Sequence, residues 1–310
     1  MSVFADNNPS PRIQFEVPDS YPEGIAYDNS TDVFYVSSVR TATVGKVNRQ
    51  GVYNIVYADT LLKSTYGMKV HPDGKHLFVC AADATYSKYS TPQTKQKMAK
   101  LISIDLASRQ KNMEVDLSNL LPGKHFSNDL TFDDKGNIYV TDSYANAIYK
   151  ITPNGVATVF AKDKQFETEG IGLNGIVFHP NGFLLVNSSN LGTLFKIDIK
   201  NPSNIQKVKT EQFFLGADGM ILNDNNKLTI VVNGGINRIF QLTTKDNWQT
   251  AKAAMATATM DRFANPSTAT TANDGIWVIN AKANELKDSS TVPSIKFDIQ
   301  LAEFKSISKE

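Results

Sequence analysis

Cysteine is almost missing from the 310 residues: Cys80 stands alone. That rules out an intramolecular disulfide and any cysteine-based zinc finger. It sits in the run Leu77-Phe78-Val79-Cys80-Ala81, which reads as a buried strand with no cationic or histidine neighbour to activate a thiolate, so an inert core thiol is expected. No stretch approaches the roughly 18 apolar residues of a membrane span, and no membrane partner is expected. No charge of one sign dominates, with 32 Lys+Arg against 31 Asp+Glu, so the basic surplus of a nucleic-acid protein is absent. Residues 1–11 carry no apolar signal region; they suit a cytoplasmic start or a mature one whose leader has been replaced by Met, and the compartment stays open. Helical periodicity is missing as well, since no segment keeps a 3.6-residue spacing with caps beyond two turns. The Ala-rich residues 248–260 come nearest, and they read as an outer strand plus a loop.

What the chain does have is a heavy apolar and aromatic load, 41% hydrophobic residues with 17 Phe and 11 Tyr, enough for a large core and too much for a disordered chain. It also has a repeat. Six turns mark its register: Asp28-Asn29-Ser30-Thr31, His71-Pro72-Asp73-Gly74, Asp133-Asp134-Lys135-Gly136, His179-Pro180-Asn181-Gly182, Asn223-Asp224-Asn225-Asn226 and Ala272-Asn273-Asp274-Gly275. Asn, Asp, Pro and Gly supply the dihedrals and local hydrogen bonds of tight hairpins. Each turn is followed by a strand-like run, at 33–38, 76–81, 137–142, 183–188, 228–233 and 275–280. The third repeat is the cleanest, with four strands at 128–133, 137–142, 147–152 and 156–161. Units about 43–62 residues apart predict an all-β, six-bladed β-propeller with four-stranded blades, one domain over 1–310. The last repeat is one strand short. The alternating run Arg12-Ile13-Gln14-Phe15-Glu16-Val17 is expected to supply that strand and close the ring. Residues 83–100 form the longest insertion, between the second and third strands of blade two.

In a propeller the loops entering the inner strands and those joining second to third strands share one face, and the His-Pro-Asp-Gly turns lie on the other. Aligned on the turns, the inner strands begin Pro22-Glu23-Gly24, Thr65-Tyr66-Gly67, Ser127-Asn128-Asp129, Leu173-Asn174-Gly175, Ala217-Asp218-Gly219 and Asn265-Pro266-Ser267. One phase thus carries Glu23, Tyr66, Asn128, Asn174, Asp218 and Pro266. Four of the six offer side-chain oxygens, hard ligands suited to Ca²⁺, which takes six to eight oxygens. No His or Cys shares the phase, which argues against a zinc site. Singly, each is also an ordinary turn residue; four in one phase from four blades are what point to an ion.

These residues resemble the gluconolactonase, senescence marker protein and luciferin-regenerating enzyme family, with the architecture of diisopropyl fluorophosphatase. The resemblance runs over about residues 16–304 as a repeat pattern. It is most specific at Pro22-Glu23-Gly24, His125-Phe126-Ser127-Asn128-Asp129, Leu173-Asn174-Gly175 and Ala217-Asp218-Gly219. It implies one catalytic divalent cation, Ca²⁺ with Mg²⁺, Mn²⁺ or Zn²⁺ as substitutes, held by Glu23, Asn128, Asn174 and Asp218. It gives no match for a second, structural calcium.

The expected activity is hydrolysis of a lactone or related ester, the ion polarising the carbonyl oxygen. Phosphotriester or fluorophosphate hydrolysis with the same ion is the enzymatic alternative, and a non-catalytic, metal-stabilised ligand-binding propeller is the alternative of another class. Asp218, as base or nucleophile, and His125, as base through a water, are the catalytic candidates. Arg40, Tyr66, Tyr144 and Asn190 are the candidate substrate contacts: Tyr66 shares the ring phase, and Arg40, Tyr144 and Asn190 stand on loops, with a solvated side chain as their structural alternative. His71, His76 and His179 fall on the far face and read as structural. A small-molecule substrate and a monomer are expected.

Overall fold

The computed structural model describes residues 11–307. Six antiparallel sheets are present, and in five of them four strands pair in simple order. Blade one runs Ile25–Asp28, Val33–Val36, Thr43–Asn48 and Tyr53–Ala58. Blades two to five start from the inner strands Ser64–Val70, Ser127–Phe132, Leu173–His179 and Ala217–Asp224. Blade six is built from Pro266–Ala272, Gly275–Asn280 and Lys296–Leu301. Only short 3₁₀ turns interrupt the strands among the described residues. The architecture is the six-bladed propeller that the repeat predicts.

The missing strand of blade six comes from the N-terminus, as expected. Arg12–Glu16 pairs antiparallel with Lys296–Leu301, Arg12 opposite Gln300 and Glu16 opposite Lys296. Its alternation buries Ile13 and Phe15 and leaves the intervening residues exposed. Phe15 stacks on Tyr53 of blade one at 6.0 Å between ring centroids and meets Phe297 of blade six at 6.3 Å. Arg12 donates to the carbonyl of Asp261 at 2.7 Å. Blade five departs from the four-strand plan. Its outer strand Thr250–Thr257 lies where the Ala-rich segment predicts, and it gains two short neighbours, Lys209–Thr210 in parallel and Phe304–Ser306 in antiparallel pairing. Both cover a backbone edge that would otherwise be free to pair with another chain.

Near the axis the inner strands share a device that sequence periodicity does not reveal. In blades two to six the inner strand loses register with its neighbour at the same place, between Thr65 and Met68, Ser127 and Leu130, Leu173 and Ile176, Ala217 and Met220, and Pro266 and Ala269. A bulge re-aims side chains out of the pleat, and the residues inside these bulges include Tyr66, Asn128, Asn174 and Asp218. The glycines beside them permit close approach. A Cβ on Gly24 would lie 2.1 Å from the carbonyl oxygen of Tyr66, and one on Gly175 2.3 Å from that of Asp218. Polar side chains tie three of the blades to the next one's ring residue: Thr141 donates to the Asn174 carbonyl at 2.7 Å, Asn187 to that of Asp218 at 2.6 Å, and Ser267 to that of Glu23 at 2.6 Å.

The single cysteine, Cys80, is fully buried in the core, and burial pushes its thiol well above the usual range.

Deleting residues 1–17 removes two buried side chains and a five-residue ladder. At roughly 1.5–3 kcal/mol per buried large side chain, the Tm of a chain this long is expected to fall by about 5–9 °C. Thermal unfolding of the truncated protein checks this, and an unchanged Tm overturns the closure.

Candidate functional site

A pocket of about 250 Å³ opens at the mouth formed by the loops entering the inner strands. Glu23, Asn128, Asn174 and Asp218 all line it. The structure therefore brings together the four oxygen-bearing residues that the common phase singles out. Asn128, Asn174 and Asp218 are almost fully buried, and Glu23 is partly buried with its Oε2 enclosed.

The orientation of the two amides follows from hydrogen-bond bookkeeping. Ser143 Oγ donates to the Leu173 carbonyl at 2.6 Å, so toward Asn128 it can only accept, from Nδ2 at 2.9 Å. Ser189 Oγ likewise donates to the Ala217 carbonyl at 2.5 Å and accepts from Asn174 Nδ2 at 3.4 Å. Each amide spends its donor end on a serine and keeps its oxygen free. Asn128 Oδ1, Asn174 Oδ1 and Glu23 Oε2 are all enclosed without a hydrogen-bond donor. A buried acceptor left unpaired costs about 1–3 kcal/mol, so three on one pocket need an explanation. On Asp218, Asn233 Nδ2 holds Oδ2 at 2.6 Å.

The carboxyls add to the demand for a cation. Burial pushes Glu23 far above the usual carboxylate range, and the charges of Asp218 and Asp129 push the same way. Burial also raises Asp218, against the hydrogen bond from Asn233, and raises Asp129, against the charge of Lys69. Acceptor-only oxygens beside mutually repelling carboxylates fit a hard divalent cation and fit no neutral ligand as well. Ser143, Ser189 and Asn233 escape the sequence reading. Their signal was available, because all three stand just after the second strands of consecutive blades.

Tyr66 and Tyr144 line the pocket. With Phe126 they form a continuous aromatic wall, Tyr66 to Phe126 at 4.5 Å edge-on and Phe126 to Tyr144 at 5.4 Å. The insertion between the second and third strands of blade two adds Ala84, Thr85 and Tyr86.

Three expectations need correction. His125 does not line the pocket and has no nitrogen free to accept a proton. It is buried, its Nδ1 is 2.7 Å from Asp142 Oδ2, and its Nε2 is 2.9 Å from the Leu121 carbonyl, which only an N–H can satisfy. Burial opposes its charge, but Asp142 outweighs burial and holds its pKa above the usual histidine range. Asp142 also accepts from the backbone N–H of Phe126 at 2.8 Å, so this pair anchors the aromatic wall. Arg40 is held away from the mouth by both Asp19 oxygens, at 3.0 and 3.2 Å, and by the Tyr86 carbonyl at 3.0 Å. It positions the insertion through Tyr86 and does not itself line the pocket. Asn190 is exposed and donates to the Glu169 carbonyl.

Of the far-face histidines, His179 stacks on Phe183 at 4.1 Å and bonds the Asn225 carbonyl through Nε2. His71, Asp73 and His76 bring three ligand-type atoms within 4.8 Å of one another.

No protein-family model matches the chain. Core trichothecene cluster protein 14 of Fusarium sporotrichioides is 24% identical over 234 residues, an overlap of 66% of this chain and 59% of that protein. The chain thus spans less than two thirds of the length of the curated relative it matches. Among solved structures, the Malassezia sympodialis allergen Mala s 1 superposes with a TM-score of 0.73 at 17% identity, covering 93% of this chain and 95% of its own. Luciferin-regenerating enzyme superposes with a TM-score of 0.62 at 15% identity, covering 96% and 98%. These likenesses show a shared propeller fold. One of the neighbours is an enzyme from the group that the repeat pattern resembles.

Two measurements test the roles assigned here. Ser143→Ala and Ser189→Ala free the amides to rotate, and each is expected to weaken divalent-cation affinity about 10–100-fold, read by calorimetric titration; unchanged affinity would falsify the orienting role. For His125, a raised folded pKa means that its stabilisation is complete below the unfolded value of about 6.5 and is lost as pH climbs through the folded value. His125→Gln is expected to cost about 3–5 kcal/mol at pH 6 and to remove that part of the pH dependence. Parallel stability curves for both proteins between pH 6 and 9 would sink the assignment.

Proposed function

We propose that the protein is a Ca²⁺-dependent hydrolase of a lactone or related ester, working at the channel mouth. One observation carries this reading: three enclosed oxygens, Glu23 Oε2, Asn128 Oδ1 and Asn174 Oδ1, have no donor and share one pocket with the Asp218 carboxylate. A calcium ion held by these four residues would supply Lewis-acid polarisation of a carbonyl oxygen.

The chain's own residues supply the rest. Asn233 fixes Asp218 in one rotamer, and fixed placement is what a base or nucleophile needs to meet a carbonyl carbon. Asp218 takes the proton of an attacking water or attacks directly through its carboxylate. With His125 engaged on both nitrogens, no histidine competes for this role at the pocket. The wall of Tyr66, Phe126 and Tyr144 covers the apolar body of the substrate and keeps bulk water off the reacting carbonyl. A pocket with apolar walls and a few convergent polar groups is the usual form of a small-molecule site.

The test is a panel of lactones, aryl esters and phosphotriesters, assayed with calcium and after its removal by a calcium-selective chelator. Turnover of a lactone or ester is expected, abolished by chelation and restored by calcium. Asp218→Asn keeps an oxygen ligand of similar shape; it is expected to retain the ion with lower affinity and to lose about 10²–10⁴ in kcat. Preference for phosphotriesters moves the reading to phosphoryl chemistry at the same ion. Calcium binding without turnover of any ester moves it to a ligand-binding propeller, and a fully active Asp218→Asn removes that residue from the chemistry.

A further inference from the structure

We propose that the far face of blade two carries a second, independent site for a borderline divalent transition metal, Zn²⁺, Ni²⁺ or Cu²⁺, built from His71, Asp73 and His76. The turn His71-Pro72-Asp73-Gly74-Lys75-His76 is locked by its backbone, His71 N–H donating to the His76 carbonyl at 2.8 Å and Gly74 N–H to that of His71 at 2.9 Å. That lock sets the two histidines side by side with Asp73 between them. Asp73 Oδ1 is committed to the backbone N–H groups of Lys75, at 2.7 Å, and His76, at 3.3 Å. Oδ2 is thereby presented to both rings, 2.7 Å from His76 Nδ1 and 3.0 Å from His71 Nδ1. The His71 ring is itself held edge-on against Phe132 at 5.1 Å and packs on Phe78 at 5.6 Å.

Hydrogen bonds alone do not satisfy this arrangement. His71 Nδ1 lies 3.3 Å from the N–H of Asp73, which calls for a lone pair, and 3.0 Å from Asp73 Oδ2, which calls for a hydrogen. One nitrogen cannot meet both demands. His76 Nδ1 lies 2.7 Å from the same Oδ2, a contact that a proton on Nδ1 satisfies and that a metal ion would replace by displacing that proton. A cation bound between Oδ2 and the two ring nitrogens would replace the close nitrogen–carboxylate contacts with coordination bonds. Bonds of about 2.0–2.2 Å in a tetrahedral shell set ligand atoms roughly 3.3–3.6 Å apart, within reach of three atoms that all lie inside 4.8 Å of one another.

Two imidazole nitrogens and one carboxylate oxygen select a transition metal over calcium, which prefers an all-oxygen shell. The side chains are 28–33% exposed, so water can complete the coordination. The other two histidines do not compete, because His125 and His179 have both ring nitrogens engaged.

The experiment is calorimetric titration of untagged full-length protein with Zn²⁺ in buffer already saturating in Ca²⁺, with Cu²⁺ electron paramagnetic resonance as a second readout. One Zn²⁺ equivalent is expected, weakened at least tenfold by His71→Ala, by His76→Ala and by the gentler His76→Gln, and left unchanged by Glu23→Gln at the mouth. The Cu²⁺ spectrum is expected to show coupling to two nitrogens, reduced to one in His76→Gln. No Zn²⁺ binding, or binding of equal strength in the His71→Ala/His76→Ala double variant, overturns the proposal.

Discussion

Six wedge-shaped sheets hold together only if the ring they form is closed, and here closure rests on five residues. Arg12–Glu16 belongs to the start of the chain and pairs with a strand almost three hundred residues later. Its buried side chains, Ile13 and Phe15, sit where blade six meets blade one, and Phe15 touches aromatic rings from both. The same segment then leads through Asp19 and Tyr21 into Glu23. Fixing the seam therefore also fixes the first of the four oxygen donors at the mouth. Ser267 of blade six reinforces this by donating to the carbonyl of Glu23.

With the ring closed, the inner strands crowd the axis, and the site follows from that crowding. Bulges turn Asn128, Asn174 and Asp218 out of the pleat, and small neighbours let the strands approach. Serines after the second strands take up the amide donors. The outcome is a set of enclosed oxygens on Glu23, Asn128 and Asn174 that no donor of the protein reaches, beside the Asp218 carboxylate, an arrangement that suits a dication. The aromatic wall is positioned separately, by the buried His125–Asp142 pair that holds Phe126, and the Asp19–Arg40 clamp holds Tyr86 of the insertion. Residues that a catalytic reading favours can thus serve by holding others in place.

Much of the fold was legible in the chain because its signals are local. Turn chemistry at six places and the period-two alternation of Ile13, Phe15 and Val17 depend only on neighbouring residues. The extended character of residues 250–257 is of another kind: alanine prefers helix, and pairing with Arg238–Thr243 overrides that propensity. The ring phase of Glu23, Asn128, Asn174 and Asp218 was legible as well, since equal distance from a turn means equal height in a repeated blade. His125, Arg40 and Asn190 could not be placed in this way. Each stands on a loop whose direction depends on a partner at a distance, Asp142 for His125 and Asp19 for Arg40.

The sequence by itself determined the number of blades, the strand that closes them and the height at which oxygen donors gather, because hairpin turns and strand alternation are short-range properties. Only the tertiary structure decided which oxygens at the mouth are left without donors, which loop side chains reach the pocket, and that His71 and His76 meet on one oxygen of Asp73. Those outcomes depend on where hydrogen-bond partners from other strands lie, and no spacing along the chain encodes that placement.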